Sequence, residues 1–280
     1  MLNFSKYCSP SSTISIELID ANSGVSLHVI TFSPARKSDL PPVVLLPGLA
    51  SVIENFQGTL IALTEKHTVY FLETREKGTS RISAKVGFTV PDLASDIPAV
   101  IEKLKLENDS YILAGYSLGA SVIAVAISGI KPKPKAVVLI EPSATFQWPW
   151  WIPILARFAV PIYGLVKPFI KWYMKTFRIN TKEDYEMYEI NARILDQAEP
   201  RKLAATVIAV RQFKVWEYLK SIDIPCLVIG VSQDKFHSHD EASKVAEGIQ
   251  GSTYIDLMNN KRSHSAEVAK IIDNFMADLA

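Results

Sequence analysis

The chain has 280 residues, 48% of them hydrophobic, enough to enclose a substantial core. Its 30 basic and 29 acidic residues leave a formal net charge of +1, which gives no electrostatic reason to expect a nucleic-acid partner. Cys8 and Cys226 make neither a disulfide framework nor a zinc site, and with no leader-like N-terminus and no run of roughly 18 apolar residues, a soluble cytoplasmic protein is expected.

Thr13 to Ile19 and Val25 to Ser33 alternate apolar and polar side chains around Asn22-Ser23-Gly24, predicting an antiparallel hairpin at a sheet edge. His28 falls inside it and reads as an outward strand position. Pro42 to Leu46 is a continuous apolar run, hence a buried strand. It ends in Pro47-Gly48-Leu49-Ala50 before a helical pattern through about Glu65. A glycine turn at a strand's C-terminal end exposes backbone N–H groups, the donors that an acyl-transfer oxyanion needs, so the Leu49 N–H is a candidate donor. An ordinary strand-to-helix turn is the competing reading. His67 reads as a solvated loop residue before the strand Thr68 to Glu73, and the polar loop after that strand holds Arg75, Gly78 and Ser80. From Pro91 a helix is predicted with Leu93, Ile97, Val100, Ile101 and Leu104 on one face. Pro98 predicts a kink, or a start nearer itself.

Tyr111 to Ala114 is an apolar strand, Leu118 to Ile127 an apolar helix, and between them Gly115-Tyr-Ser-Leu-Gly119 forms a sharp turn carrying Ser117. A hydroxyl displayed on a rigid turn between a strand and a helix is what nucleophilic acyl chemistry requires, and small residues on both sides let the turn approach neighbouring backbone. Ser117 is the candidate nucleophile, and the Leu118 N–H is the second candidate oxyanion donor.

Ala136 to Ile140 is the next apolar strand. Strands now alternate with helices at crossover spacing, which predicts a parallel sheet with helices on both faces. Glu141 ends that strand as a structural carboxylate or a catalytic acid. Residues 143–215 break the alternation. Four of the five tryptophans fall between Trp148 and Trp172, with Pro149, Pro153, Pro161 and Pro168 through the stretch, so it reads as an inserted cap of short helices. Residues 1–142 and 216–280 form the core domain around it. Trp148, Trp150 and Trp151 are candidates to line an apolar substrate pocket, although aromatics of this kind also form a cap's own core. Arg157, Lys167, Lys171, Lys175 and Arg178 interleave with large apolar residues there, giving a further reading in which the cap makes weak contact with a membrane surface.

Thr181 to Leu195 is polar and reads as a solvated helix, and Lys214 to Lys220 as a short helix back to the sheet. Pro225 to Val231 is a buried strand followed by Asp234, the candidate orienting acid, with Asp240 as its fallback. His237 and His239 lack a second ligand cluster, so no metal is expected. Thr253 to Leu257 is the last strand, Met258 to Ser263 a loop, and Ser265 to Leu279 a helix burying Val268, Ile271, Ile272, Phe275 and Leu279. His264 sits between loop and helix. It is the histidine that follows both Ser117 and Asp234 just beyond a strand, and so the candidate general base.

The order Ser117, Asp234, His264, each just after a strand, resembles the α/β-hydrolase superfamily over nearly the whole chain from about Val25. The resemblance implies a mostly parallel sheet of about eight strands with a cap inserted after the sixth, a Ser117–Asp234–His264 triad, and an oxyanion hole from the Leu49 and Leu118 amides. Glu73-Thr-Arg75-Glu-Lys-Gly78-Thr-Ser80 is similar to the superfamily's Asp-x-Arg-Gly-x-Gly-x-Ser loop. Pro47 stands where a histidine usually precedes Gly48, so a supporting hydrogen bond to the oxyanion loop is absent or replaced; Ser263 stands where a glycine is common. The expected activity is cofactor-independent serine hydrolysis of a carboxylic ester or related acyl compound with an apolar portion. The alternatives are a small apolar-ligand-binding protein of the same fold with little or no catalysis, and cleavage of C–C, amide or thioester bonds. The oligomeric state is not legible.

Overall fold

Alternating side chains make β1 (Thr13–Asn22) and β2 (Val25–Ser33) a hairpin that forms one edge of the sheet, with β1 outermost. The four short runs that follow have no alternation: β3 (Val43–Leu46), β6 (Ile112–Tyr116), β7 (Ala136–Ile140) and β8 (Cys226–Gly230) are buried at every position. Continuous apolarity is what a parallel strand covered on both faces requires. In this computed structural model, which describes residues 3–36, 38–146, 150–178, 185–233 and 239–279, they lie in one sheet with β4 (Val69–Glu73) and β9 (Thr253–Asp256). The order is β1-β2-β4-β3-β6-β7-β8-β9, eight strands as expected, and a ninth two-residue strand, β5 (Arg81–Ile82), pairs with β2. From β4 onward the neighbours are parallel.

Successive residues of each strand enter different cores. Val44, Leu46, Leu113, Leu139 and Val228 meet α2 (Val90–Ala94), α3 (Ile97–Lys103), α4 (Leu118–Ala126) and α10 (His239–Glu247) on one face. Val43, Leu45, Ala114, Ile140 and Ile229 meet α1 (Gln57–Leu63) and α12 (Ala266–Asp278) on the other. The break between α2 and α3 falls where Pro98 predicts it.

The chain leaves β3 toward β4, then returns to place β6 on β3's other side. That reversal opens a crevice at the C-terminal ends of β3 and β6, the position where open α/β sheets bind ligands. Between β7 and α9 (Trp216–Leu219) the chain leaves the sheet for α5 (Trp151–Ala159), α6 (Tyr163–Tyr173), α7 (Tyr185–Gln197) and α8 (Pro200–Ala209). Its two ends meet: the Val215 N–H donates to Ala144 O at 2.9 Å, and Thr145 bridges to Lys214.

Three local expectations need correction, at His67, His28 and residues 258–263. His67 is buried rather than solvated, with Nδ1 2.7 Å from Pro41 O and Nε2 2.9 Å from Asp273 Oδ1. His28 faces inward far enough for its Nδ1 to lie 2.6 Å from Glu73 Oε2. The loop from Glu73 to Lys77 is buried, because its charges are internally matched: Arg75 donates through Nε and Nη2 to both oxygens of Asp96, at 2.7 and 2.6 Å. Residues 258–263 are not all loop, since Asn259 caps a short helix, α11 (Asn260–Ser263).

Candidate active site

Ser117 ends β6 and opens α4 with φ 48° and ψ −111°, a left-handed backbone that a non-glycine residue enters only where its surroundings force it. The forcing contacts come from the flanking glycines. A Cβ on Gly115 would come within 2.7 Å of the Gly119 carbonyl carbon, and a Cβ on Gly119 within 2.5 Å of Leu46 O. Without side chains, the first turn of α4 presses onto the ends of β6 and β3, and the chain reverses through Ser117. Its Oγ lies 2.9 Å from Ser143 Oγ, while Ser121 Oγ donates to Ser143 O at 2.6 Å.

The loop after β3 lies directly against this turn: a Cβ on Gly48 would stand 3.2 Å from Ser117 Cβ. Leu118, the first residue of α4, belongs to the turn whose N–H groups find no acceptor within their own helix. Leu49 follows Gly48 in the facing loop. Ala50, next in that loop, also has a positive φ of 53°. The two candidate oxyanion donors thus flank Ser117 at the crevice.

Sequence reasoning missed what holds this loop. Lys77 Nζ donates to Gly48 O at 2.6 Å and to Ser51 O at 3.1 Å. The trans peptide unit makes the Gly48 carbonyl and the Leu49 N–H antiparallel members of one plane, so a grip on the oxygen aims the hydrogen the opposite way. Lys77 is buried, which pushes its pKa down, while the nearby Glu76 and Glu73 carboxylates oppose that shift. Glu76 Oε1 is 3.7 Å from Nζ and accepts from Thr74 Oγ1 at 2.8 Å. Lys202 of α8 in turn donates to Lys77 O at 2.8 Å and Ser80 O at 2.6 Å. The usable signal was the missing histidine before Gly48, whose replacement had to come from elsewhere. A cavity opens beside this lysine, lined by Ala50, Ser51, Lys77 and Thr79 from the core and by Ile194 of α7, Ala198 of the link after it and Leu203 of α8.

His264 reaches the same edge. Its ring lies against Tyr116 (centroids 4.9 Å apart) and Phe56 (5.4 Å), so it sits beside the residue that precedes Ser117. Its flanking carbonyls are pinned, Ser263 O by Tyr116 Oη at 2.9 Å and Ser265 O by Thr59 Oγ1 at 3.1 Å. Burial raises the Tyr116 pKa, keeping that phenol a donor. His264 Nδ1 faces Asn260 O at 3.1 Å and the Glu141 carboxylate at 3.8 Å. Acceptors around Nδ1 favour the tautomer with its proton there, leaving Nε2 as the basic nitrogen.

Glu141 is buried at the end of β7 with φ 47°, a second strained residue one strand along from Ser117. Its carboxylate accepts from Asn260 Nδ2 at 3.2 and 3.0 Å and from Ser263 Oγ. Ser263, in the position usually glycine, therefore ties α11 to β7. Asp234 lies outside the described residues, as do His237 and Trp148. Trp150 and Trp151, at the start of α5, are 69% and 46% exposed and so do not turn inward to a pocket. Among the described residues no three His, Cys, Asp or Glu side chains converge as a metal site would need.

Solved structures share this architecture. An enol-lactonase from Burkholderia xenovorans LB400 superposes with a TM-score of 0.75 at 18% identity, covering 92% of this chain and 99% of its own. A thermophilic esterase from Thermogutta terrifontis gives 0.71 at 18% identity over 95% of this chain and 99% of its own. An esterase from a Rhodococcus species gives 0.72 at 18% over 95% and 100%. In sequence, the chain is 26% identical over 130 residues to an N-formylmaleamate deformylase from Pseudomonas putida, 44% of this chain and 48% of that protein. The match thus spans about half the length of that relative. Residues 40–259, well over half of the chain, match the family model described as serine aminopeptidase, S33. With the doubly wound sheet and the Ser117 turn, this match shows that the chain has the α/β-hydrolase fold and belongs to the serine aminopeptidase S33 family.

Proposed function

We propose that the protein hydrolyses a carboxylic ester or closely related acyl bond with an apolar portion, through an acyl-enzyme on Ser117. The observation that carries this reading is the strained serine at the crevice, with the Gly48 loop against its Cβ. His264 Nε2 accepts the hydroxyl proton as Ser117 Oγ bonds to the carbonyl carbon. The Leu49 and Leu118 N–H groups take the developing oxyanion. Collapse of the tetrahedral intermediate breaks the bond to the leaving group, which receives the proton from His264, and a water activated by the same nitrogen then releases the acid. The names of similar proteins, an enol-lactonase, two esterases and a deformylase, support cleavage of an acyl carbon from a heteroatom over cleavage of a C–C bond.

Asp234, following β8, is the proposed carboxylate that orients His264. Glu141 then acts at one remove, bracing the histidine loop through Asn260 and Ser263. A second reading makes Glu141 the orienting acid itself, favoured by its 3.8 Å approach to Nδ1.

The test is intact-mass analysis after exposure to a fluorophosphonate. A single adduct on the natural chain that is absent from Ser117→Ala is expected. A folded protein that takes no adduct, with detergent present as well as without, would overturn the serine mechanism in favour of a ligand-binding role.

A further inference from the structure

Helix α6 is amphipathic the wrong way round. Lys167 and Lys171 face the protein, with side chains only 29% and 25% exposed, and reach Asp196 of α7 at 3.1 and 2.6 Å. Tyr163 Oη donates to Leu195 O on the same side at 2.7 Å. The opposite side, which a surface helix normally makes polar, presents Leu165 at 82% exposure, Phe169 at 61% and Trp172 at 53%. Trp150 just before α5, Phe158 within it and Ile162 in the turn after it are exposed as well. Scattered exposed apolar residues need no explanation, but two consecutive helices that each expose several large apolar side chains are uncommon on a monomer surface.

We propose that this face of the cap docks on an anionic lipid–water interface. Three observations select that occupant. From Pro142 to Lys182 the sequence has six basic residues and no carboxylate, and Arg157 and Lys175 are exposed, Lys175 with its Nζ 5.9 Å from the centre of the Tyr188 ring. Tryptophan and tyrosine, here Trp150, Trp151, Trp172 and Tyr173, are the side chains whose mixed character suits the headgroup level. The helices have 9 and 11 residues and prolines interrupt them, so they can lie in the interface but not cross it. Among the described residues no helix is long and apolar enough to span a bilayer. A second copy of the chain suits the face less well. A two-fold interface would bring Arg157 and Lys175 toward their own images with no acid in the segment to pair them. The inward lysines fit the same picture, since their bonds to Asp196 anchor α6 to α7 and leave the apolar side outward. Docking is independent of the hydrolase reading.

The experiment is vesicle flotation of the full chain, with phosphatidylcholine alone and with added phosphatidylserine, at low and high salt, alongside sedimentation velocity. Recovery on the anionic vesicles about tenfold or more above the neutral ones, weakened by salt, is expected. Leu165→Glu and Phe169→Glu should each lower that recovery about tenfold while leaving the melting temperature and the Ser117 adduct unchanged, as both side chains are exposed. No binding to either vesicle would overturn the proposal, as would equal binding to both. Folded glutamate variants that still bind as the natural chain would do the same. A natural chain that dimerises without binding vesicles, and loses the dimer in these variants, would reassign the face to self-association.

Discussion

Replacing Lys77 by methionine tests whether the oxyanion loop is aimed from behind. Methionine keeps the length of the buried stem but removes the donors to Gly48 O and Ser51 O. Two charge-assisted hydrogen bonds are lost, and two carbonyls and the Glu76 carboxylate lose their cation, so stability should fall by about 3 kcal/mol. The catalytic effect follows from the peptide plane. If the Leu49 N–H swings away from the oxyanion, the limit is loss of one donor, about 10²–10³ in kcat. The turn hydrogen bond from Ser51 N–H to Gly48 O, 3.3 Å, survives and restrains the loop, so a kcat loss of about 10- to 100-fold is expected, with KM changed less than about threefold. The assay is steady-state hydrolysis of a short activated ester, paired with urea unfolding. Adding Glu76→Gln to Lys77→Met removes the orphaned carboxylate and should recover much of the stability but none of the kcat. A folded Lys77→Met protein with unchanged kcat, or a double variant whose kcat returns with its stability, would refute the positioning role.

Asp234→Asn and Glu141→Gln separate the two acids. Neutralising the residue that orients His264 should cost about 10³–10⁴ in kcat, and neutralising the bracing residue about tenfold. The proposed assignment expects the larger loss at Asp234, and the reverse order would establish Glu141 as the acid. Alkaline pH supplies a third check. Burial in β8 pushes the Cys226 thiol up to about 12 from its ordinary 9.0. Between those values the unfolded chain gives up a proton that the native chain keeps, so this contribution to stability is complete below pH 9 and is lost as pH rises toward 12. The natural chain's unfolding free energy should fall more steeply there than that of Cys226→Ala, by up to about 1.4 kcal/mol per pH unit. Parallel curves would refute it.

The buried strands were legible because a two-sided core writes itself as an unbroken apolar run, as in Ala136–Ile140, and the Ser117 turn because two glycines bracket it between an apolar strand and an apolar helix, although only Gly115 is demanded by local contacts and Gly119 by the distant Leu46 carbonyl. The failures share one cause, which is that a polar residue's fate depends on partners far along the chain. His67 reads as solvated until Asp273 meets it, and Lys77 as a loop charge until Gly48 closes over it. The cap fails in the opposite sense. Periodicity identifies an apolar helix face but not what the face looks at, so Trp150 and Trp151 read as pocket lining when they point outward. The signal for Glu141 was present in its place at a strand end, but its approach to His264 depends on α11, which the sequence reads as loop.

The whole excursion between β7 and α9 leaves and re-enters the core at one point, where Ala144 touches Val215 and Thr145 touches Lys214. Because those ends are already side by side, the closure entropy of whatever they bracket grows only slowly with its length. Natural variation can therefore lengthen, shorten or exchange this segment without altering the register of any strand beneath it. In such an arrangement the sheet keeps its register whatever the excursion does, and the excursion is the part that can change what comes within reach of the crevice.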